Sequence, residues 1–332
     1  MRKIGVLGAG TWGMALARML CLSENELTVW SALKNEIDEF SKTRVHPNLP
    51  GMEIPKEIIF TYDIKDACED KDIILFAVPS VFVRETARKA APFVKEGQII
   101  VDVAKGIETD TLMTMSEIIE DEIGKNIKIV ALSGPTHAEE VAKDLPTTIV
   151  SACKDLKTAR FVQDVFATTC LRVYVNDDIK GVELCGALKN IIALVSGASR
   201  GLGYGDNTCA AIITRGLAEI TRLGMAMGCK TETFSGLAGV GDLIVTATSI
   251  HSRNNTAGYL IGRGYSVQEA VNKVGMVVEG INALPAAIKL AKKHNVEMPI
   301  IFMANEVISG KISPTSAVSM LMEREQRHEN DD

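Results

Sequence analysis

Residues 3–22 read KIGVLGAGTWGMALARMLCL, and this stretch decides the first half of the chain. Residues 3–7 are short and apolar, as a buried strand is, and residues 14 to about 22 favour helix. Between them stands Gly8-Ala9-Gly10-Thr11-Trp12-Gly13, a G-x-G-x-x-G turn with a strand before it and a helix after it. Each glycine has its own reason. Gly8 permits the tight turn, Gly10 lets the backbone approach a pyrophosphate, and Gly13 lets the helix pack close to the strand. The helix start then offers unpaired N–H groups and a positive dipole end to phosphate. A purely structural tight turn would not need all three glycines.

Working outward, residues 27–30 (Leu-Thr-Val-Trp) form a second strand and residues 33–40 a helix. An NAD site ordinarily carries Asp or Glu at the end of this second strand, and an NADP site an arginine nearby. This chain has Trp30-Ser31-Ala32-Leu33-Lys34. Ser31 with Lys34 could take a 2′-phosphate, but there is no arginine, so the choice of cofactor stays open. Residues 41–57 hold three prolines and a glycine and read as a long loop, a mobile flap over a site. His46 within it reads as a surface or loop-packing residue.

Apolar runs at residues 58–61, 72–78, 98–103, 127–132 and 148–152, with helical segments between them, suit strands buried on both faces of a parallel sheet. The alternation predicts a doubly wound, Rossmann-like α/β domain over residues 1–178. Ligands in such sheets bind beyond the carboxyl ends of the strands. Lys105 falls at one such end. Ser133-Gly134-Pro135-Thr136-His137-Ala138 falls at another, where Thr136 could equally be an ordinary helix cap.

From residue 179 to 332 the signals are helical, which predicts an all-α second domain. Its centre is residues 177–203, DDIKGVELCGALKNIIALVSGASRGLG, apolar on nearly every face and therefore a buried helix. Lys189 and Asn190 sit inside it. A buried lysine is costly unless it is paired or working, because desolvation disfavours its charged form. Further helices are expected at residues 208–227, 266–274, 281–294, 300–309 and 313–323, then a polar, frayed tail over residues 326–332. Two polar islands interrupt them. Residues 235–243, SGLAGVGDL, end in Asp242, a helix cap or a ligand group. Residues 251–255, HSRNN, gather hydroxyl, guanidinium and amide donors suited to a small anion.

Bulk composition narrows the classes. The 332 residues are 46% apolar and 23% charged, ordinary for a globular protein of two domains. A formal charge of -6 argues against nucleic acid as a partner. No uninterrupted apolar run is long enough to span a bilayer, and the strand that starts at Lys3 leaves no room for a signal peptide, so a cytoplasmic protein without stable membrane insertion is expected. Seven scattered cysteines and five dispersed histidines form no CxxC or HExxH pattern, which predicts reduced thiols and no metal.

GAGTWG, VPS (78–80), VDVAKGIE, SGPTHAEEV, GALKNIIALVSGASRGLGYGDN, FSGLAGVGDLIVT and SRNN, in this order along nearly the whole chain, resemble the bacterial NAD(P)-dependent glycerol-3-phosphate dehydrogenase family. The resemblance implies hydride exchange between NAD(P)H and dihydroxyacetone phosphate, giving sn-glycerol 3-phosphate for phospholipid synthesis, in a homodimer. It makes Lys189 the proton donor and acceptor at the substrate C2 oxygen, with Lys105 and Asp242 as further catalytic residues. Lys105, Gly134, Thr136, Lys189, Asp242, Ser252, Arg253 and Asn254 match substrate contacts. Thr11, Trp12, Lys105, Ala138, Arg253, Val277 and Glu279 match cofactor contacts, beside Gly8, Gly10, Gly13 and Ser31. Thr136 stands where serine is common, and the arginine many members carry after Trp30 is absent. The alternative is a related β-hydroxyacid or phosphogluconate-type dehydrogenase. Those families resemble one another in a K-x-x-N spacing, whereas Lys189 and Asn190 are adjacent here.

Overall fold

The structure, a computed structural model, describes residues 1–326, 328 and 329. The frayed tail expected from residue 326 falls in part outside them. The chain divides into two compact units, Met1–Lys105 with Met113–Ile179, and Gly106–Leu112 with Lys180–Asp332. The second unit therefore takes in a short segment of the first half. The physical reason is Ile107, which is buried in the apolar core of the helical unit with Leu112 packed against it.

The first unit is built on eight strands: β1 Lys3–Leu7, β2 Glu26–Trp30, β3 Ile59–Thr61, β4 Ile73–Phe76, β5 Ile99–Asp102, β6 Lys128–Ser133, β7 Thr147–Ala152 and β8 Leu171–Asn176. They lie in the order β3-β2-β1-β4-β5-β6-β7-β8. Every neighbouring pair is parallel except β6 and β7. The strands β1, β4 and β5 form the buried middle, as their unbroken apolar runs require. β8 went unread in the sequence because it alternates, with Arg172 and Tyr174 exposed between buried Leu171 and Val173.

The long loop is not a flap standing free of the sheet. The preceding helix runs on to Thr43, and Leu49, Met52, Ile54 and Ile58 join the core of this unit. Arg44 donates to the carbonyls of Pro55 and Ile58 (3.1 and 2.8 Å), which fastens the loop from within. His46 is buried, stacked on Phe40, and its Nδ1 accepts from the Asn48 N–H at 3.1 Å. Burial holds its imidazole below the usual histidine range. The prolines that looked like signs of mobility instead shape a packed turn.

The second unit surrounds the helix Ile179–Gly201, in which every residue from 181 to 194 is buried. By length and average composition this helix could cross a bilayer, although Lys180, Glu183 and Lys189 interrupt its apolar runs as expected. Yet 89% of its apolar window is buried within the structure, as in the core helix of a globular unit. It packs backbone to backbone on the helix Arg253–Gly262. A Cβ on Gly197 would lie 2.0 Å from the Asn255 carbonyl oxygen, and one on Gly258 1.9 Å from that of Leu194. No larger residue fits either place without moving the two helices apart. Helices Asp206–Ala226, Val267–Val274, Glu279–His294, Pro299–Ile308 and Pro314–Met322 lie within two residues of the expected bounds.

Candidate active site

At the end of β1 the three glycines divide their work. Gly8 has φ +121°, and a Cβ there would meet the Ala77 carbonyl at 2.7 Å. A Cβ on Gly13 would stand 2.2 Å from the Gly8 oxygen. Around Gly10 there is nothing within 4 Å of the Cβ position, so its missing side chain leaves open space and relieves no contact within the chain. The helix Thr11–Leu22 begins there with no side-chain cap and no acid in its first turn. Its N–H groups and dipole are thus left to an external anion. Thr11 and half-buried Trp12 open that helix, and Trp12 packs against the core. The open cradle at Gly10 and the uncapped helix fit a dinucleotide pyrophosphate.

Lys105, Gly134 and Thr136 come together beyond the ends of β5 and β6. Lys105 Nζ donates to the Gly134 carbonyl at 3.2 Å, and Thr136 Oγ1 donates to the same oxygen at 3.1 Å. Thr136 is therefore not the helix cap considered for it; His137 occupies that position before the helix Ala138–Val141. Gly134 also has a reason inside the chain, since a Cβ there would come 3.1 Å from the Ile149 Cα. Beside it the buried Ser133 Oγ has no hydrogen-bond partner among the described residues.

In the helical unit Lys189 is 5% exposed and Asp242 1%, and the two form a buried ion pair. Lys189 Nζ also donates to Thr246 Oγ1 at 2.5 Å, whose own proton goes to the Asp242 carbonyl at 2.6 Å. Asp242 is the first residue of the helix Asp242–Thr248, with Gly241 in the cap position, and its carboxylate pairs with Lys189. The turn Leu237–Gly241 that delivers it is a π-helical turn, wound against the Phe234 backbone through Gly239, whose Cβ would clash with the Phe234 oxygen at 2.0 Å. Burial of the ammonium would be penalised alone; the carboxylate and hydroxyl compensate it.

The second polar island is the start of a helix. Ser252 caps it, accepting from the Asn255 N–H at 3.2 Å; Arg253 follows, exposed; Asn254 is buried. Asn254 Nδ2 donates to Asn190 Oδ1 at 3.0 Å, and its Oδ1 accepts from the Gly280 N–H at 2.8 Å. Val277 and Glu279 thus lie in the segment tied to the residue after Arg253. Sequence reasoning missed Thr246 as a partner of Lys189, and Asn190 and Asn254 as a bridge. Threonine four residues after Asp242 on a helix was the available signal.

A cavity of about 1030 Å³ lies elsewhere in the helical unit, walled by Leu194, Ile212, Met303 and Val307 with Arg215 and Glu219. Lys189 and Asp242 do not line it. Its walls are mainly apolar, and the polar convergence that chemistry needs is at Lys189, so this cavity is not the candidate site.

The family profile described as NAD-dependent glycerol-3-phosphate dehydrogenase N-terminus matches residues 3–159, and its C-terminus counterpart matches residues 178–319. A protein of Lactobacillus delbrueckii subsp. bulgaricus named glycerol-3-phosphate dehydrogenase [NAD(P)+] 2 is 65% identical over 99% of both chains. One of Agathobacter rectalis named glycerol-3-phosphate dehydrogenase [NAD(P)+] is 50% identical over 99% of this chain and 98% of its own. The crystal structure of glycerol-3-phosphate dehydrogenase from Coxiella burnetii superposes with a TM-score of 0.93 at 36% identity, over 97% of this chain and 99% of that one.

Proposed function

The chain belongs to the NAD-dependent glycerol-3-phosphate dehydrogenase family, and we propose that Lys189 exchanges the proton at the C2 oxygen of its substrate. It is an oxidoreductase that reduces dihydroxyacetone phosphate with NAD(P)H to glycerol 3-phosphate. The observation that carries the role of Lys189 is its buried cluster with Asp242 and Thr246.

The nucleotide, when bound, supplies the hydride that arrives at C2. The residues of the chain have the remaining tasks. Lys189 holds a proton for the oxygen that becomes the alcohol, and its positive charge opposes the negative charge developing there. Asp242 and Thr246 fix the ammonium in place. Gly8, Gly10, Gly13, Thr11 and Trp12 cradle the pyrophosphate, with Ser31 at the ribose end. Ala138, Val277, Glu279 and Arg253 are proposed as further nucleotide contacts. Lys105, Gly134 and Thr136 take the polar end of the triose, and Ser252, Arg253 and Asn254 its phosphate. Arg253, exposed at the first position of its helix, adds a planar fork of donors to the dipole there.

The product suits an acceptor role in phospholipid synthesis. Seven free cysteines support a reducing, cytoplasmic location. Exposed Met225 and Met322 beside the apolar cavity support association of two copies, which sedimentation would show as a dimer mass.

The test of the central reading is direct. Purified protein given dihydroxyacetone phosphate oxidises NADH or NADPH, and Lys189→Ala abolishes turnover while still binding nucleotide. An Ala variant with full activity removes Lys189 from the chemistry.

A further inference from the structure

The strands β1 and β2 are neighbours with Leu7 opposite Trp30, and the Gly8 N–H donates to the Trp30 carbonyl at 2.9 Å. Ser31 and the glycine turn therefore leave the sheet side by side. In dinucleotide folds this is where the adenosine ribose is read: a carboxylate accepts from the 2′-hydroxyl of NAD(H), and a cation takes the 2′-phosphate of NADP(H). The order Trp30-Ser31-Ala32-Leu33-Lys34 contains no acid. The fold brings one from further along. Ser31 Oγ donates to Glu36 Oε2 at 2.7 Å while accepting from the Leu33 N–H at 3.1 Å. The hydroxyl that could have donated to a phosphate donates instead to a carboxylate.

Lys34 and Arg44, cations near Ser31 in the chain, both lie over aromatic rings. Lys34 Nζ lies 5.2 Å from the centroid of the Tyr62 ring. Arg44, the arginine of the following loop, has its guanidinium on the carbonyls of Pro55 and Ile58 and over the Phe60 ring. A 2′-phosphate brought to Ser31 would meet a like charge, whereas a 2′-hydroxyl would meet an acceptor.

We infer that Glu36 is the specificity-determining residue of the nucleotide site and makes this chain favour NAD(H) over NADP(H). The inference rests on the reading of the first unit as the dinucleotide-binding one, and it commits to a choice that the residues around Trp30 leave open.

Direct binding tests it without turnover. Dissociation constants for NADH and NADPH are measured by nucleotide fluorescence on wild type, Glu36→Gln and Glu39→Gln. Wild type is expected to bind NADH at least ~10-fold more tightly, with the gap narrowing as salt screens the carboxylate. Glu36→Gln is expected to bring the two within about 3-fold, chiefly by strengthening NADPH. Glu39→Gln makes the same charge change on the same helix and is expected to leave the ratio alone. Equal or tighter NADPH binding by wild type overturns the inference whether or not a variant folds. So does a folded Glu36→Gln protein with an unchanged ratio. Binding of neither nucleotide overturns the nucleotide-site reading as well, and that separates the two failures.

Discussion

Asn254 holds the side chain of Asn190 through a 3.0 Å hydrogen bond, and Asn190 is the next residue after Lys189. The same amide takes the backbone N–H of Gly280, and a Cβ on Gly280 would lie 2.5 Å from the Asn190 carbonyl oxygen. Three helices therefore meet at one asparagine. The helix bearing Arg253 cannot shift without moving the residue beside Lys189.

Asn254→Ala leaves a buried N–H and a buried amide oxygen without partners. Each orphaned group costs about 1–3 kcal/mol. Urea unfolding of the variant is expected to show a lower midpoint, and turnover is expected to fall with it. Asn254→Asp keeps an acceptor for Gly280 but loses the donor to Asn190 and sets a buried charge against its amide oxygen, so it is expected to be at least as unstable as Asn254→Ala.

The Lys189–Asp242 pair makes a sharper claim. Removing one partner strands the other charge in a dry interior, which costs about 3–5 kcal/mol, whereas replacing both by apolar residues of similar volume is often neutral or stabilising. Lys189→Met and Asp242→Leu are each expected to destabilise the protein, and the double variant to recover most of the loss while staying inactive. Thermal unfolding of the four proteins closes the cycle. A double variant as unstable as the sum of the singles would contradict the pairing.

These contacts explain what could and could not be read in advance. The glycine turn is legible because its requirements are local: a strand, three glycines and a helix within twenty or so residues. Lys189 is legible because a charge inside an apolar helix is conspicuous. Its partner is legible only through the family resemblance, because Asp242 is 53 residues away, and nothing in the order SGLAGVGDL itself says that a π-helical turn will bring the carboxylate to Lys189. The loop after Thr43 misleads for a related reason. Proline and glycine mark a turn, but whether it packs depends on Leu49, Met52 and Ile54 finding the sheet core. Glu36 escapes a reading fixed on the strand end because one helical turn brings it back to Ser31.

Glu219 supplies a pH dependence with a definite sign. Its carboxylate accepts from the N–H groups of Ile300 and Ile301 (2.7 and 3.2 Å), yet burial outweighs them and pushes its pKa up to about 7. The folded state therefore holds this proton more tightly than the unfolded chain, whose glutamate titrates near 4.5. The contribution, roughly 3 kcal/mol, is fully present below the unfolded pKa and is lost as pH rises through about 7. Stability measured by urea unfolding is expected to decline across this window. Glu219→Gln keeps an acceptor without the charge and is expected to flatten the decline. A wild-type profile that rises from pH 5 to 7.5, with the variant parallel to it, would refute this account.

The glycines of the turn after β1 offer the last test, because two that look alike in sequence do different things. Gly13→Ala drives a methyl to 2.2 Å from the Gly8 oxygen, a backbone atom that cannot swing aside. The strain is of the order of 1–3 kcal/mol or more, so the variant is expected to melt earlier even without nucleotide. Gly10→Ala places its methyl where nothing stands within 4 Å, so the free protein is expected to melt as wild type does. Its cost falls on the bound state, where the methyl occupies the space the pyrophosphate needs. Nucleotide affinity is therefore expected to drop in Gly10→Ala at unchanged thermal stability. If Gly10→Ala bound NADH as wild type does, the pyrophosphate would have to lie away from this turn, and the open cradle would lose its meaning.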